Sequence, residues 1–180
     1  MKPDDEVAAL FLERSRHFLS FEYPVKIRGA VGPLSYESIW RRPNDDSNSI
    51  GNLLLHLAGN IRQWIVSGIG GVPGDRDRAA EFATRDGPAG EELIELLASA
   101  VRDADAVLAR LSGSELTRPV TIQGRETTIM AALYHVIEHF SMHTGQIILL
   151  AKMYSPGTVR FYEDAGGLAI PLWGGSEGMR

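Results

Sequence analysis

"TTIMAALYHVIEHFSMHTGQIILLAKMY", residues 127–154, reads as one long helix starting near Thr127 or Thr128, either of them a suitable N-cap, and running to about Tyr154. It carries Val136, Ile137, Phe140, Ile147 and Ile148, and among them three of the chain's five histidines. These are His135, His139 and His143, each four residues after the last. At 3.6 residues per turn, positions four apart differ by about 40° and lie roughly 6 Å apart along the axis. Two neighbours in such a line can clamp one metal ion, because side chains at i and i+4 reach the same point. All three cannot share one ion. The outer two are separated by about 12 Å along the axis, too far for bonds near 2 Å. A third ligand has to come from another helix, and spacing alone leaves the pairs 135/139 and 139/143 both open.

The segment "SIGNLLLHLAGNIRQWI", residues 49–65, offers that helix. Ser47 and Ser49 are both good N-caps, and the helix is expected to stop at Gly70-Gly71. Its apolar residues go almost all the way round, which marks a buried helix. Asn52, His56, Asn60 and Gln63 nevertheless form a polar stripe along it. A buried polar stripe is costly unless something satisfies it. Two helices that each present a polar line to a bundle interior are how bundles build metal sites.

Helical periodicity governs the rest of the chain. Val7, Leu10, Phe11, Phe18 and Phe21 suggest an apolar face on a first helix, with a kink or break at Pro24. A short helix is expected around Tyr36 to Trp40. Residues 71–90 read as a long, mobile connection. Leu93, Leu96, Leu97, Ala100, Ala104, Val107, Leu108 and Leu111 mark a third helix, with Glu91 and Glu92 in its first turn, where the dipole favours them. "RPVTIQGRET" (118–127) reads as a short extended excursion turning at Gly124, and the glycine-rich tail from Ser155 as irregular. With no internal repeat, residues 1–180 are expected to form a single all-α domain, a four-helix bundle.

Composition narrows the function. The net charge is −5 and no dense Lys/Arg run occurs, which argues against a nucleic-acid partner. There are no cysteines, so disulfides, thiolate metal sites and cysteine nucleophiles are all excluded. The N-terminus is too charged for a secretory leader and no apolar stretch is long enough to span a bilayer, so no membrane association and a cytoplasmic location are expected. His135-Val-Ile-Glu138-His139 matches the H-x-x-E-H pattern of a zinc hydrolase. Against it, the candidate acidic third ligands, Glu163, Asp164 and Glu177, lie in the tail. Gly174-Gly-Ser-Glu-Gly178 matches G-x-S-x-G but has no strand before it and no helix after it, and is read as chance.

Together, "SIGNLLLHLAGNIRQWI" and "HVIEHFSMHTGQIILLAK" resemble the DinB-like superfamily of metal-binding four-helix bundles, which includes thiol-dependent transferases. Its pattern is one histidine early in the second helix, then a histidine pair followed by Gly-Gln-Ile. The resemblance implies His56, His139 and His143 as metal ligands, with Gly145-Gln146-Ile147 completing the motif. His135, Asn60 and Gln146 become neighbours that orient the ligands or a bound molecule. Three imidazoles leave a coordination position open. Zinc is the first expectation, and imidazole also suits nickel, iron or manganese. The implied activity is metal-dependent transfer of a low-molecular-weight thiol co-substrate to a small-molecule electrophile. The alternative is a stress-related bundle that holds metal or a small ligand without turnover. Leu53, Leu57, Phe140 and Ile147 would supply apolar walls, and Arg76, Arg78 and Arg85 read as a solvated loop or an attractor for an anionic thiol. The resemblance also carries the expectation of a homodimer.

Overall fold

Pro24 does interrupt the first helix, and the interruption is a π turn. The computed structural model describes residues 3–173. Helix α1 (Pro3–His17) passes through a π segment (Phe18–Glu22) into α2 (Tyr23–Val31). In a regular helix the Pro24 ring would collide with the carbonyl four residues back and leave it without a donor. The wider turn, in which Tyr23 N–H donates to Phe18 O, absorbs that conflict and lets the helix continue to Val31.

The apolar face expected on α1 is displaced. Val7, Leu10 and Phe21 are exposed, and Phe11 and Phe18 are only half-buried. The line that packs inward is Leu12, Ser15 and Leu19, spaced i, i+3, i+7. Ser15 tolerates burial because its hydroxyl donates to Phe11 O at 2.6 Å. The π turn follows Val7, Leu10 and Phe11 and does not account for their outward position; its extra residue changes only the facing of what comes after it.

Helix α3 (Tyr36–Trp40) is the short helix expected there. Helix α4 (Ile50–Ile61) starts at Ser49, which forms a capping box with Asn52, and a second π segment (Arg62–Ile69) carries it to Gly70. Residues 71–90 are more structured than a loose connection. Asp77 caps a two-turn helix, α5 (Arg78–Ala83), by accepting from Ala80 N at 2.9 Å. Asn52 Nδ2 donates to the carbonyls of Glu81 and Thr84, each at 2.8 Å, and Trp40 Nε1 donates to Pro88 O at 3.1 Å. The segment is therefore stitched to α3 and α4. Helix α6 (Gly90–Leu108) buries most of the stripe expected of it, with Leu96 half-buried and Leu111 beyond its end, and Arg16 clamps its Asp105 with two bonds, at 2.7 and 2.9 Å.

A two-stranded antiparallel hairpin, β1 (Pro119–Ile122) with β2 (Arg125–Thr128), precedes the last helix. Gln123 and Gly124 both have positive φ, 54° and 73°, as its tight turn requires. Thr128 then caps α7 (Ile129–Tyr154), 26 residues and about 39 Å long. The tail is a second hairpin, β3 (Tyr162–Ala165) with β4 (Leu168–Pro171), turning at Gly166-Gly167. This corrects the irregular tail expected from sequence. The strands are short and exposed almost throughout, so they carry no alternating pattern to read. The G-x-S-x-G match and Glu177 lie outside the described residues.

The architecture is thus the expected all-α bundle, with four arms: α1–α2, α4 with its π extension, α6, and α7. Helix α4 packs on α6 and α7, and α2 packs on α7. Leu53, Leu54, Leu57, Ile61, Ile65, Leu93, Phe140 and Ile147 form part of the shared core. No helix among the described residues is long and apolar enough to cross a membrane.

Candidate metal centre

Where α4 crosses α7, three histidines face one another. His56 Nε2 lies 3.0 Å from His139 Nε2, and His143 Nε2 lies 3.1 Å from the same atom. One ring nitrogen from each lies within 4.8 Å of the other two. Nitrogens bound tetrahedrally to one ion at 2.0–2.1 Å would be about 3.3 Å apart. The cluster is therefore already close to the spacing that a shared ion needs. His56 and His143 are buried and His139 half-buried. The residues fit a metal, and this group could hold a divalent ion.

Two of the three rings are oriented from behind. His143 Nδ1–H donates to Gln146 Oε1 at 2.7 Å. His56 Nδ1 lies 2.8 Å from Glu81 Oε2, in a contact between two buried side chains. Arg76 grips the same carboxylate with two bonds, Nε to Oε1 at 2.6 Å and Nη2 to Oε2 at 2.7 Å. Its remaining arm donates to Gln63 Oε1 at 2.7 Å, and Gln63 also accepts from Gln123 in the first hairpin's turn. A network thus runs from buried His56 out to the exposed turn of the hairpin.

Burial drives the charge states. His139 is pushed down to about 3, first by desolvation and then by His143, His56, His135 and Arg76 around it. His143 is lowered, again chiefly by burial, against the opposing hydrogen bond to Gln146. Both rings are consequently neutral at physiological pH, the form a metal takes. Burial alone would raise Glu81, but the bonds from Arg76 and His56 outweigh it and hold the carboxyl below its ordinary range.

The other sequence candidates sort clearly. His135 is not in the cluster: its ring packs on Trp64, with centroids 4.3 Å apart. Glu138 is exposed on α7 and likewise outside the cluster, so the H-x-x-E-H pattern does not assemble a site. Asn60 is buried one turn beyond His56, and its Oδ1 has no hydrogen-bond partner among the described residues. Asn52 belongs to the helix cap and not to the centre. His17 lies 3.7 Å from Glu22, away from the centre. Of the three arginines only Arg76 is drawn into the centre; Arg78 and Arg85 are exposed, as a solvated loop would have them. Arg76 is committed to Glu81, Arg78 lies over the Phe82 ring at 4.8 Å, and Arg85 donates to the carbonyls of Phe82 and Ala83.

Glu81 is the residue that sequence reasoning missed. The one signal was Gly59, a glycine inside a buried helix, where it costs about 1 kcal/mol relative to alanine. A Cβ there would overlap Glu81 Oε1 and come within 2.8 Å of Arg76 Nε.

Residues 6–161 match a protein family described as a protein of unknown function, DUF1572. The chain belongs to this family. Similar solved structures include a DinB-like protein from Bacillus cereus ATCC 10987, with a TM-score of 0.61 and 19% identity over 79% of this chain and 89% of that one. The DinB-like protein YjoA from Bacillus subtilis gives 0.61 and 22% over 83% and 96%. A conserved protein from Enterococcus faecalis gives 0.59 and 15% over 86% and 98%. The fold of this DUF1572 member is therefore DinB-like. No curated protein matches it significantly.

Proposed function

We propose that this DUF1572 protein uses His56, His139 and His143 to bind a divalent metal, zinc in the first instance, and transfers a low-molecular-weight thiol to a small electrophile. The observation that carries the metal reading is the convergence of three Nε2 atoms from two helices at 3.0 and 3.1 Å. Thiol transfer is the reading favoured by the resemblance to DinB-like transferases. Three protein donors leave room for one exogenous ligand.

A bound divalent ion would supply the charge that deprotonates a coordinated thiol at neutral pH. The chain supplies the rest. His139 and His143 arrive neutral, so they do not offset that charge. Gln146 and Glu81 hold two of the three rings from behind, so the donors need little reordering when a ligand enters. The chain has no cysteine, so a sulfur nucleophile has to be a co-substrate.

The test is conjugation of several small thiols to a chromogenic electrophile, comparing zinc-loaded protein, chelated protein and His143→Ala. Thiol consumption that requires both protein and metal supports transfer. Tight metal binding with no consumption above background would instead favour a bundle that holds metal without turnover.

A further inference from the structure

We propose that Glu81, held by Arg76, is the positioning residue that fixes the proton of His56 on Nδ1 and thereby turns the Nε2 lone pair into the histidine cluster. The inference deepens the metal reading above, but the proton's position belongs to the metal-free chain and can be tested there. His56 Nδ1 has two polar neighbours, Glu81 Oε2 at 2.8 Å and Arg76 Nη2 at 3.0 Å. A guanidinium can only donate and an ionised carboxylate can only accept. The two bonds from Arg76 keep Glu81 in the accepting form. Were Nδ1 bare, its lone pair would face a carboxylate oxygen at 2.8 Å, which is repulsive. With the proton on Nδ1, that nitrogen donates to Oε2, while Arg76 Nη2 donates to the same oxygen at 2.7 Å. In the neutral ring Nε2 is then the unprotonated atom, and it is the one that meets His139.

The surroundings are built for this pair. The side chains of His56, Arg76 and Glu81 are 5%, 8% and 10% exposed. Gly59 leaves the space they occupy. Asn52 holds the backbone carbonyl of Glu81 itself. The carboxylate lies on the far side of the His56 ring from Nε2, so it supports a ligand without becoming one, and the fourth position stays free. Arg76 cancels its charge, so the support adds no net negative charge to the centre.

Glu81→Ala removes the acceptor. Because it strands a buried guanidinium, the double variant Glu81→Ala/Arg76→Met is measured beside it. Nitrogen-15 spectra of the metal-free imidazoles at neutral pH should show His56 protonated on Nδ1 in the wild type. Both variants should show a mixture of tautomers, a change that a purely structural role would not produce. Zinc affinity by calorimetry should fall 10–100-fold in both. An unchanged His56 tautomer in the folded double variant overturns the proposal, as does unchanged zinc affinity in a wild type that binds zinc. A wild-type chain with the expected tautomers that takes up neither zinc, nickel nor cobalt overturns the metal reading and leaves the assignment of Glu81 standing.

Discussion

His139 occupies the middle of the cluster, touching both other rings, and its Nδ1 is buried with no hydrogen-bond partner among the described residues. It is the least supported of the three, and desolvation together with its charged-form neighbours pushes it down to about 3. Replacing any of His56, His139 or His143 with alanine removes one of only three protein donors. Elemental analysis of purified protein should show metal lost in each. His135→Ala should retain it, because that ring packs on Trp64 and lies outside the cluster. Metal retained in His139→Ala but lost in His135→Ala would overturn this assignment. Spacing on α7 made both histidine pairs equally eligible, and only the position of His56 on α4 separates them. Glu81 was not legible at this scale. It lies 25 residues from His56 in a run that also holds Asp75, Asp77 and Asp86, and apart from the glycine at position 59 nothing in the sequence points to it.

Helix ends were legible because their chemistry is local. Ser49 and Thr128 accept from backbone amides three residues on, as caps do, and those contacts need no tertiary partner. Helix α5 was not, since six residues are too few to show a period, and its place depends on Asn52 from another element. Two helical glycines expose the same difference between local and tertiary cause. Gly59→Ala gains helix propensity but drives a methyl into the Arg76–Glu81 pair, an overpacking cost of roughly 1–3 kcal/mol that should leave a net loss. Gly145→Ala meets nothing within 4 Å, so it should gain about 0.5–1 kcal/mol. Urea titrations of the two variants in chelator should therefore move in opposite directions. A stabilised Gly59→Ala would mean that the carboxylate does not sit where the structure puts it.

Burial in the bundle holds His135, His139 and His143 towards the uncharged form, and that links stability to pH. His139 is near 3 in the folded chain and 6.5 when free, and His143 and His135 are displaced in the same direction. Between those values the unfolded chain binds protons that the folded chain refuses, so stability falls as pH drops through 6.5 and levels near 3. Glu81, lowered in the fold, adds a contribution that is present above 4.5 and lost as pH falls through its folded value. Both effects slope the same way. One fully displaced histidine costs up to about 1.4 kcal/mol for each pH unit descended. Metal-free protein should thus lose melting temperature steadily from pH 6.5 to pH 4, and His139→Gln should flatten the upper part of that slope. Zinc should raise the melting temperature at pH 7.5 by mass action on the folded state, and the rise should shrink towards pH 5 as protons compete for the imidazoles. Scanning calorimetry with zinc and with chelator measures both. A metal-free melting temperature that stays flat between pH 6.5 and 4, equal in wild type and His139→Gln, would show that the histidines are not held neutral against solvent.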